Sequence, residues 1–432
     1  MTGRPTHHSV GVAVVDATPG WPATMSGFAA RKGRSLGVHD PITARALAVD
    51  DSCVVCIDVV GLDDAACSSI RDGAPFPSER VIVTATHTHG GPAVMRGGLG
   101  EASDAARDLV IASGVRAAAL AAGRRQPAVL EYSDIGPVPV ATDRRRGGRP
   151  DAARLQALRW ISPNGEIIGW LVSYPCHPVV LGPGNRDLTA DYPASVRDRL
   201  EAVAPGSVAL FATGCAGDIN VGHAAAASYS STPDPLRSFE EAARIGSLLA
   251  DAVVSAGWTA ASTTKGLSFV AAARDSVTLT IEPLDALSPA ELVRGWQERA
   301  RVAPADEAAV LDEWISWGEG PLAGTCGEWH GSVSALRWSD VVLVFLPGEP
   351  FLETGTRIAA RSDSPLCLVL GYSNGCPGYL PTSSAYDEGG YEVSDAHRYY
   401  GMPAPFARGS AEVIGDAAVR VMRRVEGQGL QP

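Results

Sequence analysis

The sequence has no unbroken run of the roughly eighteen apolar residues that a membrane-spanning helix needs. Its opening, MTGRPTHHSVGVAVVDATPGWP, has no apolar core of the kind that marks a secretory signal. A cytoplasmic protein without a membrane span is therefore expected. Basic charge is scarce too: 36 basic side chains stand against 48 acidic ones, a net charge of −12. That balance argues against nucleic acid or an anionic membrane as the main partner. The short run Arg144-Arg145-Arg146 is the local exception, a solvated loop or a local anion contact. The eight cysteines are scattered, and Cys53 and Cys56 lie inside SCVVCIDVV, which reads as a buried strand. No disulfide framework is implied, and reduced, buried thiols are expected. Internal repeats and low-complexity linkers are missing as well.

What is present is the composition of a turn-rich globular chain: 432 residues, 45% hydrophobic, with 47 glycines and 31 prolines. Strand-like and helix-like segments alternate throughout, so an α/β fold is expected, a single large mixed-sheet domain over 1–432 with flanking helices. Strands are expected at 10–16, 44–49, 53–60, 81–86, 129–135, 155–160, 166–174, 207–213, 332–346 and 366–371. The second and third form a hairpin around Asp50-Asp51, and Asp58 is a candidate buried carboxylate near a site. Helices are expected at 102–122, 191–203, 239–255 and 404–425. The stretch at about 284–320 differs: it reads as two short amphipathic helices broken at Pro304, an insert that either caps a site or packs.

The chemistry concentrates in 81–94, VIVTATHTHGGPAV. On a strand, residues i and i+2 face the same side, so His87 and His89 are expected side by side at a strand's C-terminal end. Open α/β sheets tend to bind ligands there, and imidazole is both a metal ligand and a proton carrier. Taken alone, the pair also suits two satisfied polar residues capping a strand. His177, Asp218, Glu349 and Tyr379 likewise fall just past apolar strands. Were those ends to converge, nitrogen and oxygen donors would meet in a set suited to zinc, bound at about 2.0–2.2 Å. The other histidines, His7, His8, His39, His223, His330 and His397, sit in no ligand-like context.

The stretch Ala85-Thr86-His87-Thr88-His89-Gly90-Gly91-Pro92 resembles the AxHTHxGP signature of the neutral ceramidases, zinc amidohydrolases. The likeness continues in order through Tyr174-Pro175-Cys176-His177-Pro178, Asp191-Tyr192-Pro193, Gly217-Asp218-Ile219-Asn220, Pro347-Gly348-Glu349 and 374–392. The opening, Asp16-Ala17-Thr18-Pro19 with Met25-Ser26-Gly27, is similar as well. The resemblance implies the ceramidase catalytic-domain fold, with Zn2+ held by His87, His177, Glu349 and Tyr379. It implies that His89 and Asp218 flank the bound water and the substrate, and that Tyr391 and Thr382 contact the scissile group or a neighbouring hydroxyl; Asn220, where the family has another residue, is expected to contact substrate through hydrogen bonds alone.

Two departures qualify the analogy. Where the family has GDxSPN, this chain has Asn220 followed by Val221-Gly222-His223, so a serine-dependent step has no residue there. The family's secretion signal and smaller C-terminal domain are also expected to be lacking, and a substrate other than ceramide is expected. The expected activity is zinc-dependent cleavage of an amide in a small soluble molecule by metal-activated water. The rivals are an esterase or lactonase at the same site, a thiol enzyme using Cys215 or Cys376, and a binding protein that kept the fold.

Overall fold

The computed structural model describes residues 7–428 except Leu99, Ser231, Pro233, 263–269 and 285–286. In chain order its longer strands begin with β1 (His8–Asp16), β2 (Thr43–Val49), β3 (Ser52–Ile57) and β4 (Val81–Ala85). They continue as β5 (Gln126–Pro137), β6 (Arg154–Ile161), β7 (Ile167–Tyr174) and β8 (Val208–Thr213). The last four are β9 (Val270–Ile281), β10 (Gly327–Trp338), β11 (Val341–Phe345) and β12 (Leu366–Leu370). The first eight form one mixed sheet in the order β8-β7-β6-β5-β1-β2-β3-β4, and the last four form a second, β9-β10-β11-β12.

The sheets stack face to face. Their shared core holds Val10, Leu47, Val54, Ile82 and Trp160 from the first sheet against Leu336, Trp338, Leu343, Phe345 and Leu368 from the second. Trp160 and Trp338 meet edge to face at 5.6 Å, and the Trp338 indole N–H donates to Ser52 Oγ at 2.9 Å. Each large side chain buried there contributes about 1.5–3 kcal/mol, and the indole's hydrogen bond removes the cost of hiding its polar end. Helices cover the outer faces. α1 (Asp64–Gly73) and α2 (Asp104–Gly123) lie on one half of the first sheet, and α3 (Tyr192–Val203) with α4 (Phe239–Val254) on the other. The pair α5 (Pro289–Ala300) and α6 (Ala305–Gly318) stands apart, while α7 (Leu352–Ala359) and α8 (Ser410–Gly427) cover the second sheet.

Three neighbouring pairs run parallel: β3 with β4, β7 with β8, and β11 with β12. Single bridges from Thr84 to Ser373 and from Gly214 to Leu370 tie the ends of β4 and β8 to the end of β12. The loops leaving these strands therefore share one mouth, the usual place for a ligand site in such sheets.

Some expectations change. The strand β9 and the helix α1 escape the sequence reading. β9 carries Arg274 and Asp275 mid-strand, which breaks its apolar alternation. In the fold Arg274 reaches Val81 O at 3.2 Å, and Asp275 pairs with Arg420 and Arg424. The last helix begins at Ser410 rather than 404, because the preceding residues pair with the end of β9: Glu282 N–H donates to Pro405 O and Ala407 N–H to Thr280 O. The two amphipathic helices of 284–320 form as expected, with the break at Pro304; residues 285–286 of that stretch lie outside the described residues.

Candidate metal centre and the cavity beside it

The strand β4 stops at Ala85, so His87 and His89 leave it before their side chains point anywhere. Their proximity is not strand alternation. His87 sits in the left-handed region at φ 65°, unusual for a residue with a Cβ. Its backbone N–H donates to Val59 O and its Nδ1 to Val60 O at 2.6 Å, both on the loop after β3. Tyr372, also left-handed at φ 54°, stacks on the His87 ring at 4.1 Å. His177, past β7, is fixed the same way, with backbone N–H and Nδ1 both on Ile219 O at 3.0 Å.

An imidazole whose Nδ1 faces a carbonyl must carry its proton there, which leaves Nε2 as a lone pair. Both Nε2 atoms converge on the Glu349 carboxylate: Oε2 is 2.8 Å from His177 and 3.1 Å from His87. The Tyr379 hydroxyl lies 3.3 Å from His177 Nε2. All four side chains are buried. Two lone pairs and a carboxylate facing one another are acceptors without a donor between them. One remedy is an imidazolium, but burial, with Arg144 adding to it, pushes His177 down to about 4. The other is a cation at the common point. Separations of 2.8–3.3 Å are those of atoms sharing one ion at about 2 Å. The donor set fits zinc.

Hydrogen bonds from behind hold this set. Tyr400 O–H donates to Glu349 Oε1. Arg144 gives one N–H to Tyr379 Oη at 2.9 Å, another to Gly217 O at 2.8 Å, and its Nε to Glu392 Oε1 at 2.8 Å. Burial alone would lower this guanidinium, but Tyr379 and Glu392 outweigh it and hold its pKa well above the usual value. Burial lifts the Tyr379 phenol well above its ordinary range although Arg144 pulls the other way. The basic run is thus an anion contact, since Arg145 also pairs with Glu392 at 2.6 Å. Neither Arg144 nor Tyr400 was singled out for the site from sequence.

His89 stands beside the cluster. Its Nε2 is 3.4 Å from His87 Nε2, and its Nδ1 is buried without a hydrogen-bond partner. Ligand atoms of His87, His89 and His177 all lie within 4.8 Å of one another, so the three imidazoles are a second geometrically possible metal set. Burial, reinforced by His87 and His177, keeps His89 uncharged. Gly27, at φ 103°, makes room for its ring: a Cβ there would lie 2.5 Å from His89 Cγ. The Met25-Ser26-Gly27 opening is therefore part of the site's wall.

The other expected residues divide. Tyr391 meets Tyr379 edge to face at 5.6 Å and lines the cavity. Asn220 lines it too, but its amide is occupied by the turn that follows, on His223 O at 2.6 Å and Gly222 N at 2.8 Å. Asp218 does not line the cavity: its Oδ1 accepts from Leu352 N–H at 2.8 Å, at the first residue of α7, and burial pushes its carboxyl up to about 6. Thr382 Oγ1 bonds Ser384 Oγ at 3.1 Å and does not line the cavity. Asp58, buried as expected, serves an ion pair with Arg197 at 2.7 Å rather than the imidazoles. Asp191 caps α3 while accepting from the N–H groups of Val180 and Leu181, which steadies the loop after His177. His223, expected to be surface or structural, lines the cavity.

The cavity beside the cluster measures about 720 Å³ with its mouth included. Five tyrosines, Tyr229, Tyr379, Tyr391, Tyr399 and Tyr400, form much of its wall. The α5–α6 pair leans on that wall, with Trp314 Nε1 donating to Tyr399 Oη at 2.8 Å. The thiol alternative loses its nucleophile: Cys215 and Cys376 are buried, and burial pushes both thiols well above their usual range. All eight cysteines are free, and among the described residues no helix is long and apolar enough to cross a membrane.

No family model matches the chain, and no curated protein matches it. Two solved structures share its fold over nearly its whole length. One is the neutral ceramidase of Pseudomonas aeruginosa, with a TM-score of 0.71 at 16% identity, covering 97% of this chain and 75% of that one. The other is a ceramidase complexed with C2, with a TM-score of 0.72 at 18% identity, covering 99% and 77%. The mixed α/β architecture is that of these ceramidases.

Proposed function

From that shared fold and the donor cluster at its mouth, we propose that this protein is a zinc-dependent hydrolase that cleaves an amide bond in a small molecule. The observation that carries the reading is the meeting of His87 Nε2, His177 Nε2 and Glu349 Oε2 with the Tyr379 hydroxyl alongside. In this reading those four residues hold the ion. A bound zinc ion supplies Lewis acidity toward a carbonyl and brings the pKa of a bound water toward about 7.

The chain's own groups do the rest. His89, uncharged and with a free Nδ1, is the group able to take a proton and return it to a leaving amine. Asp218, which the sequence pairs with His89 in this role, instead anchors the start of α7. Arg144 fixes the Tyr379 oxygen, and Tyr400 fixes the orientation of the Glu349 carboxylate. Tyr391 stands over Tyr379 in the cavity wall, where it would meet the scissile group. Asn220, its amide engaged by the turn, shapes the cavity rather than replacing the family's serine.

Turnover of a panel of amides, each with its matched ester or lactone, tests this. Amide cleavage that stops on chelation and returns with zinc supports the reading. Cleavage confined to the esters would replace the bond assigned here, and activity untouched by chelators would remove the metal.

A further inference from the structure

Two cationic side chains line the cavity, and they are placed differently. Arg144 is fully engaged by Tyr379, Glu392 and Gly217. Arg237 makes no ion pair among the described residues, and its Nη1 is buried without a hydrogen-bond partner. Its position is provided for: Gly182 leaves the space, since a Cβ there would come 2.4 Å from Nη1. Among the described residues the cavity wall contains no Asp or Glu. In a chain of net charge −12, a wall whose only charged side chains are guanidiniums is a local reversal of sign. The nearest acids acting on Arg237 are Asp234 and Asp191, and burial outweighs them in lowering its pKa. A third guanidinium, Arg31, lies behind Ser26 with its Nη2 also buried and unpartnered.

A buried guanidinium nitrogen without a partner is costly until an acceptor meets it. One free edge matches the two oxygens of a carboxylate; a dianionic phosphate calls for more donors. Resting on the amidase reading above, we propose that the substrate is an amide that also bears a carboxylate, an N-acyl amino acid in class, and that Arg237 binds that carboxylate. The tyrosine wall takes an apolar acyl or side-chain group, and the amide lies between Arg237 and the histidine cluster.

The test reads binding, so that it does not depend on turnover. Calorimetric titrations would use N-acetyl and N-benzoyl derivatives of glycine and phenylalanine, each as the free acid and as the neutral carboxamide. The probes would be offered to the zinc-loaded protein and to its Arg237→Ala and Arg237→Lys variants. The expected result is that at least one acid binds about tenfold or more tightly than its carboxamide. Arg237→Ala should erase that preference and Arg237→Lys retain part of it, with melting temperature and zinc content unchanged. A wild-type protein that binds acid and carboxamide alike, or neither, overturns the proposal, as does a preference that survives Arg237→Ala. Binding with the expected preference but no cleavage would overturn the amidase reading alone.

Discussion

The two sides of the cavity are built on opposite plans. On the histidine side each donor atom is held from behind: Val60 O and Ile219 O fix the imidazoles, Tyr400 the carboxylate and Arg144 the phenol. On the Arg237 side a half-buried cation has one buried nitrogen, Nη1, with no hydrogen-bond partner. The first is a site organised before anything binds, the second one completed only by what binds. The contrast teaches that the chemistry and the recognition can be broken separately.

The largest effect belongs to the organised side. Glu349→Ala leaves two lone pairs without their carboxylate and should lower amide turnover by about 10³ or more, read as kcat/KM. His89→Ala sharpens the comparison by separating the two possible ligand sets. If His89 moves protons, turnover falls by about 10² or more while metal content holds; if the three imidazoles are the ligands, the metal leaves too. Gly27→Ala should give a milder form of the same loss, because it displaces the ring without removing it.

Tyr400→Phe removes only the support behind Glu349 Oε1 and should weaken metal affinity by about 10- to 100-fold in a competition titration with a chelator. The smallest expected effect concerns Asp191, whose carboxyl burial pushes up to about 6 from an ordinary value near 3.8. A raised pKa means the folded chain holds this proton more tightly than the unfolded one. That contribution is complete below about 3.8 and fades as pH rises through about 6. Urea midpoints across that window should therefore fall less steeply with pH in Asp191→Asn than in the parent protein.

Much of this was legible in the sequence. β-branched runs ending in glycine and proline marked the strands, and their ends held six ligand-type residues, His87, His89, His177, Asp218, Glu349 and Tyr379; the choice of His87, His177, Glu349 and Tyr379 among them rested on the ceramidase resemblance. What was not legible depends on long-range geometry. The left-handed turn at His87 and the contacts of its Nδ1 come from the loop after β3, not from its own strand. Asp218 has the right residue type and neighbours, and only the fold shows that its Oδ1 is taken by Leu352 N–H and that it does not line the cavity. Arg144 resembled any solvated arginine until Glu392 and Tyr379 met it from some 240 positions away. Arg237 carries no local signal at all, because its meaning lies in the absence of a partner.

The central claim is that four side chains from distant segments hold one metal ion. Elemental analysis of the purified protein beside His177→Ala and Glu349→Ala, with folding checked by circular dichroism, tests it directly. The account predicts about one zinc per parent chain, as a single tetrahedral site implies, and little in either folded variant. Full zinc in both variants, or a folded parent protein that takes up none when zinc is supplied, would contradict it.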